Sequence, residues 1–270
     1  MWERVPVFIL AGGRGERLAG LADAPKPLLE VAGLPFLLYL LATLKTQGFR
    51  RIGLLTGHRA GTFAAWLRAA SAPPGARPDA PTRAARAILA GLDVGLLAES
   101  EPLGTGGALR RILPFVEDVA LVLNGDSFCW FDARDLLRRY EARGQALCLA
   151  ATRIADGADY GRLLIDDDGR VTGLREKGEV GAAWVNAGVY ALPRRFLAEA
   201  IPDGPCSLER EVLPHWLERE PVWAQRTDGY FCDIGTPQRL ALARRQFPAA
   251  AVLGEAGFQP GGHGRRASAP

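Results

Sequence analysis

VPVFILAGGRGERL, residues 5 to 18, sets an apolar run directly against a glycine-rich loop loaded with cations. VPVFILA reads as a buried strand and GGRGER as the loop that follows it. Three phosphate-binding readings compete for such a loop. A P-loop requires G-x-x-x-x-G-K-[ST], and no such string occurs. A dinucleotide fingerprint requires G-x-G-x-x-G; Gly13-Arg14-Gly15 begins it, but Leu18 stands where the third glycine belongs. The third reading is a loop whose backbone N–H groups wrap a triphosphate, with Arg14 and Arg17 adding charge. A plain strand-to-helix turn would account for the glycines alone. The two arginines and Pro25-Lys26-Pro27 shift the balance to phosphate. Lys26, between two prolines, is expected on a stiff, extended backbone that fixes its charge in place.

Outward from this loop, strands and helices alternate. LPFLLYLLATLKTQGF has helical length and period and stops at Gly48. RRIGLLTG, DVGLLAE and VALVLNGD read as strands, and TFAAWLRAA and TGGALRRILPFV as helices. This order implies an α/β fold, a Rossmann-like, mostly parallel sheet with helices on both faces. Ligands in such sheets sit beyond the carboxyl ends of the strands. GRLLIDDDGRVTGLRE reads as a hairpin turning at Asp168-Gly169, with Asp166, Asp167 and Asp168 a solvated turn rather than a metal cluster. WVNAGVYAL is a further strand, SLEREVLPHWLER is helical, and PVWAQRTDGYFCDIG is strand-rich. Residues 1–247 are expected to form a single domain. Residues 71–90 are expected as a surface insertion, turn-rich at first with a short helix in TRAARAILAGL, and 248–270 as a disordered tail. No internal repeat marks a C-terminal β-helix.

The 270 residues carry a net charge of only +3, which argues against a dedicated nucleic-acid binder. The N-terminal apolar run is too short for a signal peptide or a membrane span, so a cytoplasmic protein is expected. The cysteines at 129, 148, 206 and 232 form no C-x-x-C pair and read as reduced thiols. Scattered histidines disfavour a histidine-ligated metal, and His58 reads as structural. Of 33 basic residues only Lys26, Lys45 and Lys177 are lysine. In a chain this biased toward arginine, a lysine marks a place where a point charge is wanted instead of a planar fork. Lys45, on an expected helix surface, is the ordinary case.

The loop 10–18 followed by Pro25-Lys26-Pro27 resembles the signature of the sugar-1-phosphate nucleotidylyltransferases. The likeness continues in order through EPLGTGGAL (101–109), LNGD (123–126), Tyr160-Gly161, Glu176-Lys177, VNAGVY (185–190) and Asp233-Ile234-Gly235-Thr236-Pro237. Each motif alone is weak; the ordered set, spanning roughly residues 5 to 245, is specific. The overall likeness is to the D-glycero-α-D-manno-heptose 1-phosphate guanylyltransferases, and the 71–90 insertion departs from their compact pattern.

The resemblance implies an enzyme that joins a sugar 1-phosphate to a nucleoside triphosphate and releases pyrophosphate. The attacking phosphate oxygen is ionised at neutral pH, so no general base is needed; positioning and neutralisation of crowded anions must carry the catalysis. By resemblance Arg17, Lys26 and Asp126 are catalytic. Leu10, Ala11, Gly12, Gly13, Arg14, Gly15, Glu99, Gly104 and Thr105 bind the nucleotide. Gly161, Glu176, Lys177 and Asn186 bind the sugar phosphate, and Asp126 and Asp233 hold Mg²⁺, a hard cation that suits two carboxylates and phosphate oxygens. In relatives that use pyrimidine nucleotides a Gln lies five residues before the glycine matching Gly104; here that position is Glu99. A carboxylate accepts both N1–H and N2–H₂ of guanine, so Glu99 implies GTP. The neighbouring Glu101 is the competing candidate.

The expected partners are therefore GTP and a heptose or related sugar 1-phosphate, in a monomer or small homo-oligomer, with no nucleic acid and no membrane. The alternatives are a UTP- or dTTP-dependent hexose-1-phosphate or cyclitol-phosphate enzyme, a catalytically silent regulatory binding subunit, and a glycosyltransferase with a similar sheet. The silent subunit would be expected to have lost its cations and metal ligands, all of which are present here, and a glycosyltransferase would not explain the Gly-Arg loop with Pro-Lys-Pro.

Overall fold

A computed structural model describes residues 4–13, 18, 24–71, 79–175 and 177–255. The first strand, β1 (Val7–Leu10), is followed by a short ribbon of β2 (Glu30–Val31) and β3 (Leu34–Pro35) and by α1 (Phe36–Thr46). Nine consecutive side chains of α1, Phe36 to Leu44, are buried, as expected of a helix enclosed on all sides. Next come β4 (Arg51–Leu55), α2 (Ala60–Ser71), α3 (Ala80–Leu89), β5 (Asp93–Leu97), α4 (Gly104–Arg110), β6 (Val119–Asn124) and β7 (Ser127–Cys129). The second half holds α5 (Ala133–Ala142), β8 (Leu147–Ile154), β9 (Arg162–Ile165), β10 (Val171–Arg175), β11 (Ala183–Pro193) and α6 (Arg194–Glu199). A π-helical turn over Leu208–Val212 then leads into α7 (Leu213–Leu217), β12 (Val222–Thr227), β13 (Phe231–Asp233), α8 (Pro237–Gln246) and α9 (Ala249–Glu255).

The main sheet has nine strands among the described residues, ordered β10-β9-β11-β6-β1-β4-β5, with β8 paired to β11 and β12. The segment β6-β1-β4-β5 is parallel throughout, and β11 joins it antiparallel on β6. A continuous apolar run such as VALVLN suits a strand covered on both faces, and its first five residues are buried. One apolar core on one face of the sheet contains α1, α5 and α8; the other contains α4, α6 and α7. Asn124, Leu10, Leu55 and Leu97 stand side by side in the parallel register, so four strands end on one line. The loops that leave this line begin at Gly125, Ala11, Thr56 and Ala98. No helix among the described residues is long and apolar enough to cross a membrane.

Four sequence expectations need correction. Residues 80–89 are not a surface insertion: α3 buries Ala84, Ala85, Ile88 and Leu89 in the core with α1. Its apolar face needed a partner, and α1 supplies one. Lys45 is not an idle surface residue, since its ammonium donates to the carbonyls of Ala87 (2.8 Å), Ile88 (3.1 Å) and Ala90 (2.7 Å) at the end of α3. Three rotatable donors on one compact head cap a helix terminus in a way the arginine fork does not. Residues 248–255 are not part of a disordered tail, because α9 seats Val252 and Leu253 in the α1 core, and the rest of that expectation, 256–270, lies outside the described residues. Finally, Lys26 is not extended. Pro25 is (φ −55°, ψ 142°), but Lys26-Pro27-Leu28 closes a 3₁₀ turn through Leu28 N–H to Pro25 O (2.8 Å) and Leu29 N–H to Lys26 O (3.0 Å).

Candidate active site

A cleft of about 400 Å³ opens over the aligned carboxyl ends of the parallel strands. Its walls bring together Leu10, Ala11, Gly12, Gly13, Lys26, Glu99, Gly104, Thr105 and Asp126, nine positions that come from four motifs and, for Glu99, the segment just before one of them. Arg14, Gly15, Arg17 and Glu176 lie outside the described residues.

At one end, Lys26 Nζ lies 3.1 Å from Asp126 Oδ2. Asp126 follows the last residues of β6 and keeps 34% of its side-chain surface exposed, so its carboxylate remains reachable from the cleft. At another wall Glu99 follows β5 and accepts weakly from Leu103 N–H at 3.4 Å. Burial pushes its carboxyl above the ordinary value, against the pull of that N–H and of Arg111. Glu101, by contrast, is exposed.

Gly104 opens α4 with a left-handed backbone (φ 70°), and a Cβ there would stand 2.4 Å from Cys206 O. Glycine thus lets the segment before the π-helical turn close over α4, where Gly106 N–H donates to Cys206 O (2.9 Å). That approach carries Glu209 into the cleft wall, where it accepts from Thr105 Oγ1 at 2.8 Å and stands 3.5 Å from Asn124 Nδ2. Neither Glu209 nor Asn124 stands out in the sequence as a site residue. The only trace of Glu209 is an acidic position in a stretch that otherwise reads as an ordinary helix.

Asp233 is placed by a two-stranded ribbon: β13 pairs antiparallel with β7, Asp233 opposite Ser127, and Ile234 N–H donates to Asp126 O at 2.9 Å. Asp233, at the end of β13, is thereby brought beside the turn before β7 that carries Asp126. The Asp233 carboxylate accepts from Tyr160 Oη and from Gly235 N–H (3.0 Å), and it pairs with Arg239 at 3.1 Å. Arg239 also lies 4.1 Å over the Tyr160 ring. Burial and Asp233 together hold the Tyr160 phenol protonated.

Asp233 and the other described residues expected at the site fall outside the cleft lining. Gly161 stands just before β9, and a Cβ there would lie 3.7 Å from Arg175 O. Lys177 is exposed on the turn between β10 and β11. Asn186 donates to Tyr190 Oη (2.9 Å) and accepts from Gly188 N–H (3.0 Å). Gly188 is left-handed (φ 76°), and a Cβ on it would stand 2.9 Å from Asn124 Cβ. The motif VNAGVY thus makes a bulge that leaves room for the Asn124 side chain. No cluster of three or more metal-ligating side chains occurs among the described residues. Asp126 and Asp233 could hold a divalent cation whose other ligands come from substrate and water.

The profile of the nucleotidyl transferase family matches residues 7–249. The chain belongs to the nucleotidyl transferase family. Among family relatives it is 31% identical over 267 residues to the mannose-1-phosphate guanylyltransferase of Mycobacterium tuberculosis, covering 95% of this chain and 69% of that one. It is 29% identical over 232 residues to the D-glycero-alpha-D-manno-heptose 1-phosphate guanylyltransferase of Campylobacter jejuni, covering 86% of this chain and 95% of the relative. Among solved structures it is similar to HddC from Yersinia pseudotuberculosis complexed with GMP-PN, at TM-score 0.73 and 31% identity, covering 90% of this chain and 99% of that one. Against another family member, the mannose-1-phosphate guanylyltransferase catalytic subunit beta of Drosophila pseudoobscura pseudoobscura, the chain spans 59% of the relative's length.

Proposed function

We propose that this nucleotidyl transferase is a sugar-1-phosphate guanylyltransferase that joins GTP to a heptose or mannose type of sugar 1-phosphate and releases pyrophosphate. The observation that carries the reading is the Glu99 carboxylate, half-buried in the wall of the cleft that also holds Lys26 and Asp126. A buried acceptor of this kind suits the paired donors of guanine and opposes the acceptors that flank the single donor of uracil or thymine. The names of the relatives agree, as does the guanine nucleotide in the HddC complex.

In this reading guanine sits on Glu99, and the loop from Gly12 to Arg17 with Lys26 neutralises the triphosphate. Lys177, exposed on its turn, supplies charge to the sugar phosphate, while Gly161, Glu176 and Asn186 serve the sugar. The oxygen donors of Asp126 and Asp233 fit Mg²⁺, which takes few protein ligands and fills its shell with phosphate oxygens and water. When bound, the ion would neutralise the phosphoryl oxygens at the reacting centre. Each carboxylate is paired with a cation, Asp126 with Lys26 and Asp233 with Arg239, and Asp126 is the more exposed of the two.

The test is a matrix of GTP, ATP, UTP, dTTP and CTP against mannose, heptose and glucose 1-phosphates, read by magnesium-dependent pyrophosphate release. Preference for a pyrimidine nucleotide would overturn the guanylyl reading. Silence across the whole matrix would point to a binding subunit.

A further inference from the structure

We infer that Glu209 accepts a hydrogen bond from a ring hydroxyl of a substrate sugar. The inference rests on the guanylyltransferase reading and extends it to a residue outside the family motifs. The cleft wall around Glu209 has a surplus of acceptors. Its carboxylate already takes the Thr105 hydroxyl, and Thr105 Oγ1 in turn accepts from Leu208 N–H at 2.8 Å. Beside it, Asn124 Oδ1 is buried with no donor in reach. A buried acceptor left unpaired, as Asn124 Oδ1 is, is costly, and the half-buried Glu209 carboxylate beside it has room for a further donor.

A nucleoside triphosphate and a sugar phosphate bring phosphates, which accept, and hydroxyls, which donate. The donors of guanine are already matched by Glu99. Hydroxyls are what remain. A carboxylate facing a cleft that takes polyanions is also unfavourable by charge alone. Bridging Thr105 and Asn124 would need only a neutral amide. The charge is useful when the acceptor must be strong, as in a charge-assisted bond from an O–H.

Position supports the same role. Glu209 sits in a π-helical turn, closed by Val212 N–H to Ser207 O at 3.1 Å, a rare geometry frequent at functional sites. It pairs with Thr105, expected on the nucleotide, and lies 3.5 Å from Asn124, which the bulge of the expected sugar motif VNAGVY approaches at Gly188. Burial, then the Glu209 charge, pushes the Tyr190 phenol well above its ordinary value, and Asn186 donates to that phenol. The hydroxyl can therefore belong to the ribose of GTP or to the ring of the sugar 1-phosphate.

Paired deletion of residue and hydroxyl separates these sources. Wild type and Glu209→Gln are compared by kcat/KM with GTP, 2′-deoxy-GTP, 3′-deoxy-GTP and ITP. Mannose 1-phosphate and its 2-, 3- and 4-deoxy forms provide the second arm, and calorimetric Kd values the binding readout. The expected result is one hydroxyl whose removal weakens the wild type tenfold or more and leaves Glu209→Gln unchanged, with the thermal midpoint preserved. A pentose hydroxyl places Glu209 on the nucleotide, and a hexose hydroxyl on the sugar phosphate. Equal losses in both proteins for every deoxy compound would overturn the inference, and so would coupling to ITP in place of a hydroxyl. If Glu209→Gln does not fold, Glu209→Asp carries the same comparison. Wild type that releases no pyrophosphate from GTP with mannose or heptose 1-phosphate overturns the guanylyltransferase reading itself. In that case the calorimetric arms still decide the role of Glu209.

Discussion

Lys26 Nζ lies 3.1 Å from Asp126 Oδ2, a pair joined across 100 residues of sequence. The 3₁₀ turn at Lys26–Leu28 aims the one and the end of β6 presents the other. In the proposed reading both groups face the same crowded anions once the phosphates bind, Lys26 as a cation and Asp126 as a ligand to the metal. Asp126→Asn should retain the fold and lose turnover by about a hundredfold or more, the range seen when a group acting on transition-state charge is removed. Lys26→Arg should not restore activity, because a planar fork does not fit a point-charge site. Steady-state kcat at saturating Mg²⁺ checks both. Near-normal turnover in Asp126→Asn would remove that residue from the chemistry.

Glu99 should control base choice and its pH dependence. Glu99→Gln should lose roughly 1.5–3 kcal/mol of guanine recognition, the worth of a hydrogen bond to a charged group, or about ten- to a hundredfold in kcat/KM. UTP should gain relatively, and Glu101→Gln should change little. Because burial raises the carboxyl of Glu99, ionisation is held back in the folded protein. GTP recognition should therefore weaken as pH falls through a window above the ordinary carboxylate range. The stability contribution has the opposite sense: it is fully present below the unfolded value and is lost as pH rises through the raised one. A KM profile for GTP that is identical in wild type and Glu99→Gln would disprove the assignment.

Gly104→Ala should destabilise the protein and loosen the cleft together. The left-handed backbone alone costs about 1–3 kcal/mol for a residue with a side chain, and the Cβ would meet Cys206 O at 2.4 Å. Thermal unfolding should show a fall of several degrees. An unchanged midpoint would mean that the segment before the π-helical turn is not clamped on α4.

The four thiols should be inert in the folded protein. Burial pushes those of Cys129, Cys148 and Cys232 up to about 12 and raises Cys206 as well. The thiolate is the reactive form, so an aromatic disulfide reagent at pH 8 should label none of them quickly and all four after denaturation. Rapid native labelling would contradict the burial of these side chains.

Much of this architecture is legible in the sequence because it depends on local patterns. VALVLNG and VFILAGG declare buried parallel strands, and their glycines and acids mark the sheet's carboxyl edge. Docking between distant segments is not legible in that way. TRAARAILAGL and PAAAVLGE look like surface because their apolar faces are short, and α1 is what covers them. Lys45 looks idle until α3 presents its carbonyls. Glu209 has no motif of its own; it becomes part of the wall through the approach of Cys206 to Gly104, a contact no spacing rule encodes. Gly161, Lys177 and Asn186 match their motifs, yet in this structure they stand outside the cleft.

The ribbon of β7 and β13 has a consequence for the order in which the molecule is made. Asp126 leaves the ribosome long before Asp233, whose strand follows most of the sheet. A chain interrupted before β13 would carry Asp126 without Asp233, one carboxylate of the pair proposed for the metal. In the proposed reading, turnover should therefore appear only in chains long enough to include β13, which a series of nested C-terminal truncations would show.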